Sequence, residues 1–277
     1  GFIACVWCLR EAGPLAISGW RFVIAGLVGL IGAAGAFSAA GERVSPASAR
    51  SFMSSAWLPG TLIAATVAFQ SWGLQFTTAT KSGFITCLYV LIVPLTHPFF
   101  GGLRPSRKLF ICALVALLGV ALMCGLLTQE SLDEQSRLKW GDFLTLICAF
   151  AASAHIFAIE KVHGRLGPNF NGFHFNTAQS FGAGLPMLAL ACAIEPGAIR
   201  MPVHFIEIAL SGLSILPLLG FLSLTFLSTL IGFALQIRAQ RVLSPSTASL
   251  LFLLESPFAA LFAFIFLGET MGPAQLA

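Results

Sequence analysis

Charge is what this chain of 277 residues has least of: Asp, Glu, Lys and Arg together supply 9% of it, against about 25% in an ordinary soluble protein. So few charges cannot cover a water-facing surface. Tyrosine is almost missing, with one residue against 26 phenylalanines, while hydrophobic residues reach 57% and the mean hydropathy is +0.90. These values exclude a secreted, nucleic-acid-binding or cytosolic globule, because apolar stretches of this extent need hydrocarbon around them. A polytopic membrane protein remains, with the lipid bilayer as its first partner and no nucleic acid.

Other signatures are also absent. There is no Walker loop, H-E-x-x-H, G-x-S-x-G or carboxylate cluster on a loop, so the chain is not read as an enzyme, and no cofactor or metal is implied. The same ground argues against ATP-driven pumping by this chain alone. Residues 1–9 lack the basic start and small-residue cleavage site of a signal peptide. The seven cysteines, Cys5, Cys8, Cys87, Cys112, Cys124, Cys148 and Cys192, all fall in apolar stretches. An odd count without a loop framework argues against disulfides and zinc. The C-x-x-C of Cys5 and Cys8 is read as helix packing, since free cysteine behaves as a small hydrophobe.

What is present is a series of stretches long enough to cross about 30 Å of hydrocarbon as helix. They lie at 15–37, 57–76, 82–101, 108–127, 141–160, 172–194, 217–237 and 246–267, eight full spans, with an apolar stub at 1–9. The run from Phe205 to Ile237 is too long for one span and is divided at Pro217, leaving 205–215 as an interfacial or re-entrant lead-in. Polar or Gly/Pro-rich pieces at 38–51, 101–108, 128–142 and 163–169 punctuate the rest.

The two halves flanking the acidic 128–142 segment repeat one another in order. Gly13-Pro14 matches Gly167-Pro168, Leu58-Pro59 matches Leu216-Pro217, Phe69 with Gln75 matches Phe233 with Gln240, and Pro94 matches Pro257. The repeats occupy 1–127 and 139–277. The comparison predicts an all-α membrane protein: a ten-helix bundle from two five-helix repeats, the first helix partial in this chain and the tenth expected beyond Ala277. An odd number of spans per repeat inverts the second copy in the membrane.

Loop charges orient the bundle. The side carrying 38–56, 102–107, 161–171 and 238–245 holds nine Lys/Arg with its flanks, against five on the other side. By the positive-inside rule the first side faces the cytoplasm.

Two charges lie well inside predicted spans, Arg21 and Glu255. A lone charge at a helix centre costs on the order of 2.5–3.5 kcal/mol on insertion scales, so each should face a partner or a watery cavity. A fixed buried ion pair or a hydrogen bond to freed backbone is the alternative for both, and Arg21, two turns from the outer end of its span, has the further alternative of snorkelling. Pro257, two residues after Glu255, frees carbonyls beside that carboxylate, as secondary transporters do in their broken helices. Pro94 is the equivalent break in the first repeat, with Tyr89 near it. His155, at mid-span, is a candidate for substrate or protons, with interhelical hydrogen bonding as the other reading. Gln179 falls near the position of Arg21 in the second repeat. Arg21, Tyr89, His155, Gln179 and Glu255 are thus the candidate substrate-binding or coupling residues, with protons a candidate coupling ion. Gly26, Gly29 and Gly32 are placed to let helices approach.

Three strings, AISGWRFVIAGL at 16–27, FQSWGLQFTTATKSGFITCLYVLIVPL at 69–95 and QRVLSPSTASLLFLLESPFAALFAFIFLGET at 240–270, resemble the EamA family of the drug/metabolite transporter superfamily. The last carries Glu255-x-Pro257 and Gly268-Glu269 at family spacing, while Gly101-Gly102 departs from the Gly-Glu often found after the fourth helix. The resemblance implies a multi-pass carrier of the bacterial inner membrane, exporting small metabolites, amino acids or drug-like compounds by alternating access. A lipid-linked flippase, which needs a lateral opening to the bilayer, is the second reading within transport. A non-transporting membrane scaffold or an intramembrane enzyme is the reading outside it.

The charge split makes a prediction. With single cysteines introduced into the full-length protein in intact cells, an impermeant thiol reagent should label position Ser131 and spare position Ser45. The reverse pattern would invert the orientation.

Overall fold

The computed structural model describes residues 2–34, 46–77, 79–100, 106–123, 140–167 and 170–255, with positions 258, 261 and 265. Among these residues all regular structure is helical: α1 (Phe2–Leu9), α2 (Pro14–Ala34), α3 (Pro46–Gly73), α4 (Ala79–Cys87), α5 (Tyr89–Thr96), α6 (Arg107–Met123), α7 (Trp140–Leu166) and α8 (Gly172–Ile194), then α9 (Met201–Leu210), α10 (Leu216–Leu222), a π-helix (Ser223–Gly232), α11 (Phe233–Ala239) and α12 (Pro245–Phe252). Five apolar runs are long enough to cross a membrane: Pro14–Gly32, Ser82–Phe100, Trp140–Leu166, Gly172–Ile194 and Leu216–Ala239. Each coincides with a span expected from the sequence. The expected spans at 57–76 and 108–127 fall largely on α3 and α6, and most of 246–267 beyond α12 lies outside the described residues.

Local chemistry sets the helix ends. Proline at the first helical position suits α2, α3 and α12, because the missing N–H would be unpaired there in any case. Asn171 caps α8, its side chain accepting from the N–H groups of Phe173 at 2.9 Å and His174 at 3.3 Å, and Ser244 accepts from Thr247 N at 3.3 Å to cap α12. Gly167 and Gly212, at φ of +78° and +77°, take the left-handed conformation that ends α7 and α9 without a Cβ penalty. The long run after Phe205 divides where Pro217 suggested, into the short helix α9 and a second run starting at Leu216. The 82–101 span is interrupted, with α4 and α5 separated at Leu88 and a 3-10 turn over His97–Phe100. Pro94 lies inside α5, where it removes one rung of the helix ladder.

The chain divides into two compact units, each drawing on both halves of the sequence. The first comprises 3–68 and 158–242, with α8 at its centre. Against α2, the α8 backbone comes so near that a Cβ on Gly19 would lie 2.8 Å from Leu188 N and one on Gly184 2.7 Å from Val23 N. A Cβ on Gly26 would lie 3.0 Å from the Phe181 ring, and Gly29 faces Thr177. Partners descend in number as α2 ascends, so the pair is antiparallel with a fixed register. Gly60 of α3 makes a similar approach on another side, its Cβ position 2.9 Å from Gln179 O. Small residues allow such contacts, and dispersion between closely apposed backbones replaces the hydrophobic drive that lipid cannot supply. Of the glycines expected to permit approach, Gly26 and Gly29 do so. The cluster of Ala56, Ile159, Val162, Phe170, Phe175 and Ile237 fills the rest of this unit.

The second unit comprises 69–157 and 243–277. Cys87, Val90 and Ala113 pack with Leu253 in one cluster, and Tyr89, Val93, Ile156 and Phe157 form another. Gly73 and Gly141 make its close backbone approach, a Cβ on Gly73 falling 2.9 Å from Gly141 O.

Gly184→Ala should therefore lower stability by about 1–3 kcal/mol, because the added methyl meets backbone rather than a side chain that can swing away. Gly164→Ala, with open space around its Cβ position, should be neutral or stabilising by up to about 1 kcal/mol. Thermal unfolding in detergent measures both, and equal effects would refute the packing account.

Candidate functional site

Within the first unit the α2–α8 contact delivers Arg21 to the interior, 6% exposed. Its Nε donates to Thr229 Oγ1 at 2.9 Å, and its guanidinium carbon lies 4.9 Å from the Phe22 ring centroid, a cation–π distance. Thr229 belongs to the π-helix, and its own hydroxyl donates to Leu224 O at 2.8 Å, which leaves the oxygen's lone pairs for arginine. The wider π turn also presents main-chain carbonyls to neighbours: Asn176 Nδ2 on α8 donates to Thr229 O at 3.0 Å and Leu230 O at 3.2 Å. Gln179 Nε2 in turn donates to Asn176 Oδ1 at 3.3 Å. The chain Arg21, Thr229, Asn176, Gln179 thus links three membrane-type helices through buried polar groups. π-helix is rare, and π turns inside α-helices are frequent at functional sites.

Two more hydroxyls beside this chain, Ser18 one turn before Arg21 and Ser180 next to Gln179, are buried and have no hydrogen-bond partner among the described residues. Buried polar atoms without partners are few in folded proteins, and water or a polar ligand is a usual explanation.

The N-terminal end of α2 is held by Glu195, which follows α8. Its carboxylate oxygens accept from Leu15 N at 2.9 Å and Ala16 N at 2.8 Å, and Gly13 leaves room for the group. An anion at a helix N-terminus satisfies unpaired N–H groups and the positive end of the helix dipole. Trp20 Nε1 adds a bond to Ala198 O at 2.8 Å. Arg21 is thereby set in depth and rotation within its unit.

The second unit holds Tyr89, His155, Pro94 and Glu255. Tyr89 on α5 is buried among Val93, Ile156 and Phe157, and His155 on α7 is buried at 2% exposure. His97 stacks on Phe157 with ring centroids 5.6 Å apart. Glu255, just beyond α12, is exposed yet within electrostatic range of Tyr89 and Cys148. Pro257 lies outside the described residues. At the opposite end of α7, Asp142 is buried and accepts from Thr77 Oγ1 at 2.7 Å.

The candidates therefore fall into two groups: Arg21 with Gln179, joined through Thr229 and Asn176, and Tyr89 with Glu255 and the nearby helix bearing His155. Asn176, Thr229 and Glu195 were not singled out by sequence. Asn176 carries a signal, a carboxamide in mid-span next to Gln179 in the string NTAQS. Thr229 carries none, because threonine is common in membrane helices, and Glu195 reads as one more loop carboxylate.

Long apolar helices that bury a connected set of polar side chains define a polytopic all-helical membrane protein. The family model for EamA-like transporters matches residues 1–125 and 139–277, and the chain belongs to that family. A protein of Archaeoglobus fulgidus described as an uncharacterized transporter is 28% identical over 207 residues, 75% of this chain and 59% of the relative. The chain thus spans under two thirds of that relative's length. A solved crystal structure of a protein superposes with a TM-score of 0.70 over 99% of this chain and 89% of the other, at 15% identity. At that identity the likeness concerns the fold alone.

Thr229→Val removes the oxygen that receives Arg21 and should destabilise the protein by about 1–3 kcal/mol, the cost of a buried donor left unpaired. Thr229→Ser keeps the oxygen and should stay near wild type. Equal melting temperatures for the valine and serine variants would show that this bond contributes nothing.

Proposed function

We propose that the protein is a secondary transporter that exports small polar or charged metabolites, with amino acids and drug-like compounds in range, across the bacterial inner membrane by alternating access between two inverted five-helix repeats. Family membership supports transport and a small-molecule substrate. The observation that carries the reading further is the polar chain around Arg21, set in helices otherwise made for lipid, with two unpartnered hydroxyls beside it. A charge costly to place there is retained for function by default. In this reading Arg21 and Gln179 meet substrate, and the π-helix supplies a segment whose hydrogen bonds can be re-registered as the cavity opens to one side or the other. Tyr89, His155 and Glu255 form the coupling group, with Pro94 and Pro257 breaking their helices. Glu255 exchanges a proton for substrate.

The test is solute flux in proteoliposomes containing the full-length protein, with substrates drawn from a metabolite screen of a deletion strain. Arg21→Leu and Gln179→Leu should each reduce flux at least tenfold, the effect of about 1.4 kcal/mol, without preventing membrane insertion. Unchanged flux in both would remove them from the substrate path. Glu255→Gln should retain substrate exchange and lose its dependence on an imposed pH gradient. A variant still driven normally by that gradient would exclude Glu255 as the coupling group.

A further inference from the structure

Next to the Arg21 chain, with which it shares Leu230, the first unit has a groove of about 690 Å³ where α2, the start of α8 and the end of the Leu216–Ala239 run meet. Its deeper wall is apolar, with Val28, Ile231 and Leu235. Arg238 and Arg241 also line it, and among the described residues no carboxylate does. Ile231 and Leu235 are 49% and 60% exposed, so the groove is open along its apolar side, a surface suited to lipid. Arg238 stands in the last turn of α11, at the end of the apolar run. Ile231 lies seven residues earlier, roughly 10 Å deeper at helical rise.

Arg241 is held in place: it donates to Phe170 O, and its guanidinium lies 5.3 Å from the Phe170 ring centroid. Its Nε is buried and has no hydrogen-bond partner among the described residues. Two arginines lining one groove, with apolar residues of the same run extending about 10 Å from Arg238, match an amphiphile with an anionic head. A soluble anion would leave the trough to water, and a zwitterionic lipid would bring an ammonium group to the two arginines.

We propose that this groove binds one anionic phospholipid from the leaflet on the Lys/Arg-rich side of the membrane, its phosphate on Arg238 and Arg241 and one acyl chain along Leu235 and Ile231. Basic pockets between membrane helices recognise such headgroups, and each arginine near the surface adds about fivefold to the affinity. The proposal is independent of which solute the protein carries.

Native mass spectrometry on the full-length protein, delipidated in detergent and titrated with defined lipids, tests it. Phosphatidylglycerol should be retained at one tight site, and phosphatidylcholine of the same chain length should not. Arg238→Gln should weaken the phosphatidylglycerol site about fivefold and leave phosphatidylcholine adducts unchanged. Arg241→Gln risks the fold through the lost Phe170 contact, so the second variant is Leu235→Trp, at an exposed position, which fills the trough with both arginines intact and should also weaken retention. Glycerol 3-phosphate in excess should not displace the lipid. Equal retention of the two lipids, an unaffected Arg238→Gln variant, an unaffected Leu235→Trp variant, or displacement by glycerol 3-phosphate at matched concentration would each overturn the proposal, the last in favour of a soluble anion.

Discussion

Backbone-to-backbone approach of α2 and α8 is the constraint on which the first unit rests. Lipid is as apolar as leucine, so burial from water cannot hold one membrane helix against another. Contact area must come from close fit, and Gly19, Gly26, Gly29 and Gly184 supply it by having nothing to get in the way. A fixed register follows, since glycines on one helix accept particular residues of the other. From that register the position of every polar side chain on the facing surfaces follows too.

Arg21 shows the consequence. A guanidinium cannot shed its charge, so the only stable placements are a snorkelling one or one with donors satisfied inside. With α2 pressed onto α8 and pinned at its N-terminal end by Glu195, the side chain is carried inward to Thr229. The π-helix complements this placement. Its carbonyls accept from Asn176, and its Thr229 hydroxyl bonds five residues back, so the same ten-residue stretch receives donors from two neighbouring helices. A regular α-helix has its mid-helix carbonyls committed to its own ladder and has less to offer.

The second unit uses a different economy of parts. One of its spans is interrupted, α4 and α5 parting at Leu88 and a 3-10 turn following at His97. Proline near such breaks removes backbone bonds that hydrocarbon cannot replace, and buried side chains such as Tyr89, His97 and His155 stand close by. Polar groups stand beside irregular backbone in both units, at the π-helix in the first and around the breaks of α5 in the second, and the first unit adds regular helices that touch closely.

How much of this was legible in the sequence depends on the range of the interaction. Span positions, helix ends at proline and glycine and the division at Pro217 follow from local composition and spacing, because hydropathy and capping act within one helix, while the transporter family was indicated by the resemblance of three strings to that family. Singling out Arg21 and Gln179 required only the cost of placing polar groups in apolar runs. That the two are joined through Thr229 and Asn176, that Glu195 caps a helix 180 residues before it, and that Ser223–Gly232 is π rather than α were decided by tertiary structure. Each depends on which face of one helix meets which face of another. That choice is made by glycine contacts between residues far apart in the chain, and a single sequence carries the glycines without saying what they touch.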